Sequence, residues 1–180
     1  MNPISYWQRL KVAFQYVMPQ IYMTQAAGWL AKQKWGAVTH FVIKAFAKKY
    51  NIDMSIAEKE KFSDYASFNE FFIRPLKENA RPINQNPTAL CCPADGRVSE
   101  CGHIEDDRLL QAKGHFFSLN DLLAEDKDLT ETFKNGEFVT TYLSPRDYHR
   151  VHMPCDGTLR KMIYVPGDLF SVNPFLAKHV

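Results

Sequence analysis

Ile4, Trp7, Leu10, Phe14, Val17 and Ile21 recur at three- and four-residue steps, while Gln8, Arg9, Lys11 and Gln15 fall elsewhere around the wheel. That spacing lines one face of an α-helix with apolar side chains. Pro19, lacking an amide hydrogen, breaks or restarts it. A second short helix is expected from about Thr24 to Lys32, ending near Gly36. A third, Val38 to Lys49, places Val38, Phe41, Val42, Ala45, Phe46 and Lys49 on one face. Further on, Ser67-Phe-Asn-Glu70 reads as a capping box opening a short helix, Phe68 to Arg74, which Pro75 stops.

From residue 88 the pattern turns strand-like. The expected strands are Thr88 to Cys92, Arg97 to Cys101, Phe138 to Leu143 and Thr158 to Val165. Turn signals separate them at Asp95-Gly96, Asn135-Gly136, Asp156-Gly157 and Pro166-Gly167. One helix, Leu119 to Ala124 or beyond, is expected among them, capped by Ser118 with Asp121 three residues on. The fold class is therefore α+β: N-terminal amphipathic helices (1–52), a helical connector (53–87) and a largely antiparallel β region (88–180).

Charge sharpens that division. The chain has 22 basic and 20 acidic residues, a net +2 that argues against nucleic acid as a partner. Yet residues 1–52 hold seven basic residues and no acid, so they carry +7 and the remainder −5. All three tryptophans lie there too. Cationic, Trp-rich amphipathic helices suit an anionic membrane surface, where aromatic rings sit at headgroup depth. The competing reading packs these faces against the rest of the protein; the acid-free stretch favours the membrane. No apolar run reaches the roughly 18 residues a spanning helix needs. Cys91, Cys92, Cys101 and Cys155 form no C-x-x-C pair, and no signal peptide opens the chain. The expected location is peripheral, on the cytoplasmic face of the cell membrane.

The densest chemistry lies in Ser144-Pro-Arg-Asp-Tyr-His149-Arg-Val-His152-Met-Pro-Cys155. Its residues allow three readings. His149, His152 and Cys155 are normal zinc ligands, but no fourth stands at familiar spacing. Both histidines could be hydrogen-bonded loop residues. Or one acts as a general base towards a hydroxyl nucleophile, oriented by a carboxylate. Asp95, carried on the Pro93-Ala-Asp-Gly96 turn, is one such carboxylate; Asp147 and Asp156 are rivals.

Several blocks, in order along the chain, closely resemble the bacterial membrane-associated phosphatidylserine decarboxylases. They are Phe68-Asn-Glu-Phe-Phe-Ile-Arg-Pro75, Pro93-Ala-Asp-Gly96, Lys113-Gly114 followed by Ser118-Leu119, Thr140-Thr-Tyr-Leu-Ser-Pro-Arg-Asp-Tyr-His-Arg-Val-His-Met-Pro154 and Tyr164-Val-Pro-Gly-Asp-Leu-Phe-Ser-Val-Asn173. The resemblance implies a proenzyme that cuts itself at the serine of a Leu-Gly-Ser-Thr motif, activated by an Asp and a His. By position these are Asp95 and His152. Cleavage leaves a pyruvoyl group capping a small alpha chain. That carbonyl takes up the amine of phosphatidylserine and acts as electron sink while carbon dioxide leaves, giving phosphatidylethanolamine. His149 is the candidate for protonation or substrate contact, and Ser171 for lining the pocket. No metal is implied.

One departure is large. The chain contains no Gly-Ser dipeptide: its eight glycines precede Trp29, Ala37, Arg97, His103, His115, Glu137, Thr158 and Asp168. Neither Ser144 nor Ser171 follows a glycine. The expectation is an N-terminal portion of the beta chain, lacking its nucleophile and inactive alone. The alternative is a non-catalytic lipid-binding protein of the same descent.

Overall fold

The computed structural model describes residues 6–112 and 115–167. Ser171 and the end of the Pro-Gly-Asp-Leu-Phe-Ser-Val-Asn block lie outside them. The chain divides into two compact units, one from residues 1–25, 98–140 and 162–180, the other from 26–97 and 141–161.

Three helices open the chain: α1 (Tyr6–Val17), α2 (Gln20–Ala31) and α3 (Ala37–Tyr50). Pro19 separates the first two, and its carbonyl accepts the Met23 amide at 3.1 Å. A proline just ahead of a helix has a pre-set φ and no amide to leave unsatisfied. This is why α2 begins four residues before Thr24. Helix α2, Gln-Ile-Tyr-Met-Thr-Gln-Ala-Ala-Gly-Trp-Leu-Ala, carries no charged residue and buries none of its side chains. No helix among the described residues is long and apolar enough to cross a membrane.

In the unit built from 26–97 and 141–161, α3 supplies Ile43 and Ala47 to a core completed by Tyr65 and Phe71. Phe46, Ile52, Met54, Phe62 and Phe68 pack around it. Burying a side chain such as Ile43 or Phe71 contributes about 1.5–3 kcal/mol. Short α4 (Phe68–Phe72) presents Phe71 to this core. Its start follows the capping-box rule: Ser67 Oγ accepts the Glu70 amide at 3.2 Å, and Glu70 Oε2 accepts the Ala66 amide at 3.0 Å. The Lys59 ammonium, 2.6 Å from Glu70 Oε1, and the Ala66 amide hold the Glu70 carboxyl below the ordinary range. The helix ends at Phe72, two residues short of Arg74, because Ile73 already leaves helical geometry.

The other unit holds the strand pairs. β1 (Arg97–His103) pairs with β4 (Glu137–Tyr142). Ser99 Oγ donates to the Thr140 carbonyl and the Ile104 amide to that of Gly136, so the two run antiparallel. β2 (Arg108–Ala112) and β3 (His115–Ser118) form a separate antiparallel hairpin, with Arg108 opposite Ser118. Two short helices follow, α5 (Leu119–Leu122), capped by Ser118, and α6 (Lys127–Phe133), capped by Asp126. Ile104 and Leu119 are buried, with Leu123 and Phe138 against them.

Two expected strands are absent. Thr88 to Cys92 joins no named strand: it begins in a turn, with the Ala89 amide on the Asn86 carbonyl, and the Cys91 amide bonds across to the Pro154 carbonyl at 2.9 Å. Thr158 to Val165 has a strand-like apolar pattern but joins no named strand among the described residues, and its side chains are exposed. A strand is a pairing, and pattern alone does not supply one.

Candidate active site

The site is assembled where two loops are stitched together. The Cys91 amide donates to the Pro154 carbonyl at 2.9 Å, and the His152 amide to the Pro93 carbonyl at 2.8 Å. These bonds lay the Pro93–Gly96 turn beside the histidine loop. Gly96 is required there: a Cβ at this position would sit 2.5 Å from the Tyr142 carbonyl oxygen. Any side chain would push the Asp95 turn off the end of β4.

Asp95 and His152 therefore share a neighbourhood, but each has another partner. Asp95 Oδ2 accepts from Arg81 Nε at 2.8 Å and also from Arg81 Nη2. That hydrogen bond raises the affinity of the Arg81 guanidinium for its proton. His152 Nε2 lies 2.9 Å from the Tyr148 hydroxyl, and the two rings stack with centroids 5.5 Å apart. Tyr148 is buried. The cluster thus consists of two pairs, Asp95 with Arg81 and His152 with Tyr148.

His149 is held differently. Asp147 closes the turn before it, accepting from the Ser144 amide at 2.6 Å and the Ser144 hydroxyl at 2.7 Å. The Ser144 carbonyl then takes a hydrogen bond from His149 Nε2 at 3.0 Å. Behind the imidazole lies Phe72, stacked at 4.1 Å between centroids with planes 23° apart. Burial pulls the His149 pKa below its ordinary value; the Ser144 hydrogen bond works against this. The Arg74 charge lowers it further, and the Asp147 carboxylate opposes that.

Arg74 is the structural surprise. It is 2% exposed, and its Nη2 donates to the Arg146 carbonyl at 3.2 Å, while Nε and Nη1 have no hydrogen-bond partner among the described residues. Its guanidinium carbon sits 5.5 Å over the Phe71 ring. In return, Arg150 Nε donates to the Ile73 carbonyl at 2.7 Å. The segment after α4 and the histidine loop thus exchange two arginine-to-carbonyl bonds.

Of the rival carboxylates, Asp147 is engaged in its own turn and Asp156 is exposed. His149 and His152 point their Nε2 atoms at different partners, and no cluster of three metal-binding side chains occurs among the described residues. Phe72, Arg74, Arg81 and Tyr148 belong to the site without having been marked as chemical residues in the sequence. Phe72, Arg74 and Tyr148 lay within blocks that carry the family resemblance, whereas Arg81 lay in none of them.

A family model described as phosphatidylserine decarboxylase matches residues 68–180, from the first residue of α4 through every residue of this site. A second, described as PSD, matches residues 10–51, the opening helices. The chain belongs to the phosphatidylserine decarboxylase family. It is 89% identical over 180 residues to a phosphatidylserine decarboxylase proenzyme of Haemophilus influenzae strain Rd, covering all of this chain and 62% of that protein. The proenzyme of Pasteurella multocida is 80% identical over 177 residues, covering 98% of this chain and 60% of its own. Another, from Histophilus somni strain 2336, is 76% identical over 176 residues, again 60% of its length. The chain therefore spans about three-fifths of these family members. Within that span lie the Asp95 turn and both histidines.

Proposed function

We propose that the protein to which this chain belongs is a phosphatidylserine decarboxylase, made as a proenzyme and completed by cutting itself. The observation that carries the reading is the stitching of the Asp95 turn to the His152 loop through the Cys91 and His152 amides. A carboxylate and an imidazole fixed on adjacent loops are what activation of a serine hydroxyl requires. In this reading His152 takes the hydroxyl proton as the serine oxygen attacks the preceding carbonyl carbon, and the proton goes on to the leaving amine as the C–N bond breaks. Asp95 stabilises the imidazolium between those events. No Gly-Ser occurs in these 180 residues. The serine then belongs to another part of the protein, and this chain by itself does not cleave.

Such a proenzyme implies a pyruvoyl group on a partner alpha chain, which supplies an electron sink for the carboxylate-bearing carbon. The residues present suit it. A carbonyl sink needs proton acceptors and donors close by, and two imidazoles on one short loop provide them. His149 serves the substrate side, as proton donor or headgroup contact; Ser171, outside the described residues, is carried over from the family resemblance alone as a further substrate contact.

The substrate is phosphatidylserine, and the opening helices bring the protein to it at the cytoplasmic face of the membrane. Trp7, Phe14, Tyr22, Trp29 and Trp35 are all more than half exposed, among seven basic residues with no acid. Such a surface binds headgroups and anionic lipid without crossing.

The test uses the full-length protein. Asp95→Asn and His152→Asn should each stay a single band on a denaturing gel, where the wild type gives two. His149→Asn should cleave and yet release little carbon dioxide from phosphatidylserine vesicles. Wild-type cleavage in Asp95→Asn or His152→Asn would end the assignment. Vesicle binding without any cleavage by the wild type would favour a non-catalytic lipid-binding protein.

A further inference from the structure

A neutral imidazole has one N–H and one lone pair, and a carbonyl oxygen can only accept. His149 Nε2 faces the Ser144 carbonyl at 3.0 Å, so Nε2 carries the hydrogen. The lone pair of the uncharged ring is then on Nδ1. Among the described residues no hydrogen bond to Nδ1 is present, and the residue is half-buried.

Two residues outside the catalytic set fix this arrangement. Phe72 covers one face of the ring at 4.1 Å, excluding water from it. Arg74, itself almost wholly buried, donates to the Arg146 carbonyl and so holds the turn whose Ser144 carbonyl engages Nε2. Its fixed positive charge also disfavours a second proton on His149. The other charged groups around the ring are few. Asp147 opposes Arg74 but spends its Oδ2 on Ser144. Arg146 is exposed and lies near Asp147, and Arg150 is committed to the Ile73 carbonyl.

We propose that Phe72 and Arg74 are positioning residues for His149, holding it uncharged with Nδ1 as an open proton acceptor in the decarboxylase site. The inference rests on the decarboxylase reading and adds a direction to it. A serine headgroup arrives with its amine as an ammonium, which cannot attack a carbonyl until a proton leaves. His149 Nδ1 takes that proton, the nitrogen keeps its lone pair, and the resulting imidazolium is the donor available later in the cycle. A histidine already charged could not accept the first proton. Burial of His149 and the nearby Arg74 charge both work in the required sense.

The sign of the pH effect follows. His149 folds with a lowered pKa, so the accepting form persists to lower pH than for an ordinary histidine. Removing the Phe72 ring or the Arg74 charge should raise that pKa. The acid limb of kcat/KM against pH should then move to higher pH in Phe72→Leu and in Arg74→Met. Arg74→Lys, which keeps the charge, should leave the limb near its wild-type place.

The experiment measures carbon dioxide release by self-cleaved full-length enzyme on phosphatidylserine vesicles across pH. In parallel, diethyl pyrocarbonate labels unprotonated imidazoles in the wild-type protein, and peptide mass spectrometry reads His149 separately. Labelling of His149 should persist to lower pH than labelling of the same residue in urea-unfolded protein. A wild-type acid limb in both Phe72→Leu and Arg74→Met overturns the proposal. So does His149 labelling that falls away at or above the pH where its labelling in urea-unfolded protein does, a readout that needs no variant to fold. A wild type that never releases carbon dioxide sinks the decarboxylase reading instead, while the labelling still decides the state of His149.

Discussion

In α1 and α2 the large apolar residues face outward: Trp7 and Tyr22 are each 74% exposed, with Phe14, Ile21 and Trp29 also in the open. Beside the histidine loop the reverse holds, and a guanidinium is buried against Phe71 and the Arg146 carbonyl. Both departures oppose the usual distribution, in which aromatic surface is hidden and arginine is wet. Each costs free energy to the isolated fold, so each is a place where something other than folding has selected the residue. For the helices the proposed term is a membrane surface to lie on. For Arg74 it is the orientation and charge state of a neighbouring imidazole. The core formed by Ile43, Ala47, Tyr65 and Phe71 is the ordinary case that calibrates both.

The largest effect expected on this contrast comes from that ordinary core. Phe71→Ala removes a ring that is 0% exposed and touches Phe46, Phe62, Tyr65 and Phe68. Truncation of a buried Phe costs about 3–5 kcal/mol. Urea unfolding of the whole chain should show that loss. A change below about 1 kcal/mol would mean this core does not hold the unit together.

The same truncation at the exposed helices should do the opposite. Trp7→Ala combined with Phe14→Ala should leave stability within about 0.5 kcal/mol, as exposed substitutions generally do. Binding to anionic vesicles should fall by about tenfold or more, since burying each ring at an interface is worth about 1.5–3 kcal/mol. Sedimentation with phosphatidylserine-containing liposomes measures it. If stability fell and liposome binding did not, these rings would be packing elements, and the contrast with Phe71 would vanish.

The two regions also differed in how far sequence could reveal them. Helical periodicity carried Trp7, Leu10 and Phe14 onto one element, and the Ser67–Glu70 pair marked the start of α4, because both signals are local. Helix α6 was not foreseen: Lys127–Phe133 offers Leu129 and Phe133 as its only apolar positions, too few to set a period. The β2–β3 hairpin was missed as well, because its strands pair with each other rather than with the β1–β4 pair. At the site, Asp95, His149 and His152 stood out as chemistry-bearing types in a dense block. Arg81 reaches Asp95 across 14 residues and Arg74 reaches Arg146 across 72, distances at which spacing carries no message. Phe72 and Tyr148 were visible only as apolar or aromatic neighbours until the fold stacked them on the two histidines.

The smallest expected effect is the most discriminating. An arginine in a buried ion pair is costly to remove, because its partner is left charged and unpaired. Among the described residues Arg74 has no carboxylate bonded to it: its one hydrogen bond there goes to a carbonyl on exposed Arg146, which water can satisfy, and two of its nitrogens have no partner among them. Burial already weakens its hold on its proton. Arg74→Met fills much of the same volume and removes that desolvation penalty, at the cost of one hydrogen bond and the contact over Phe71, together about 1–3 kcal/mol. The opposing terms are of similar size, so stability should move by no more than about 1 kcal/mol in either direction. Urea unfolding of Arg74→Met beside wild type decides it. A loss of about 3 kcal/mol or more would make Arg74 a structural pin, with its effect on His149 incidental. A near-zero change leaves the residue without a stability rationale, and the stacked, uncharged histidine beside it supplies the reason an arginine stands there.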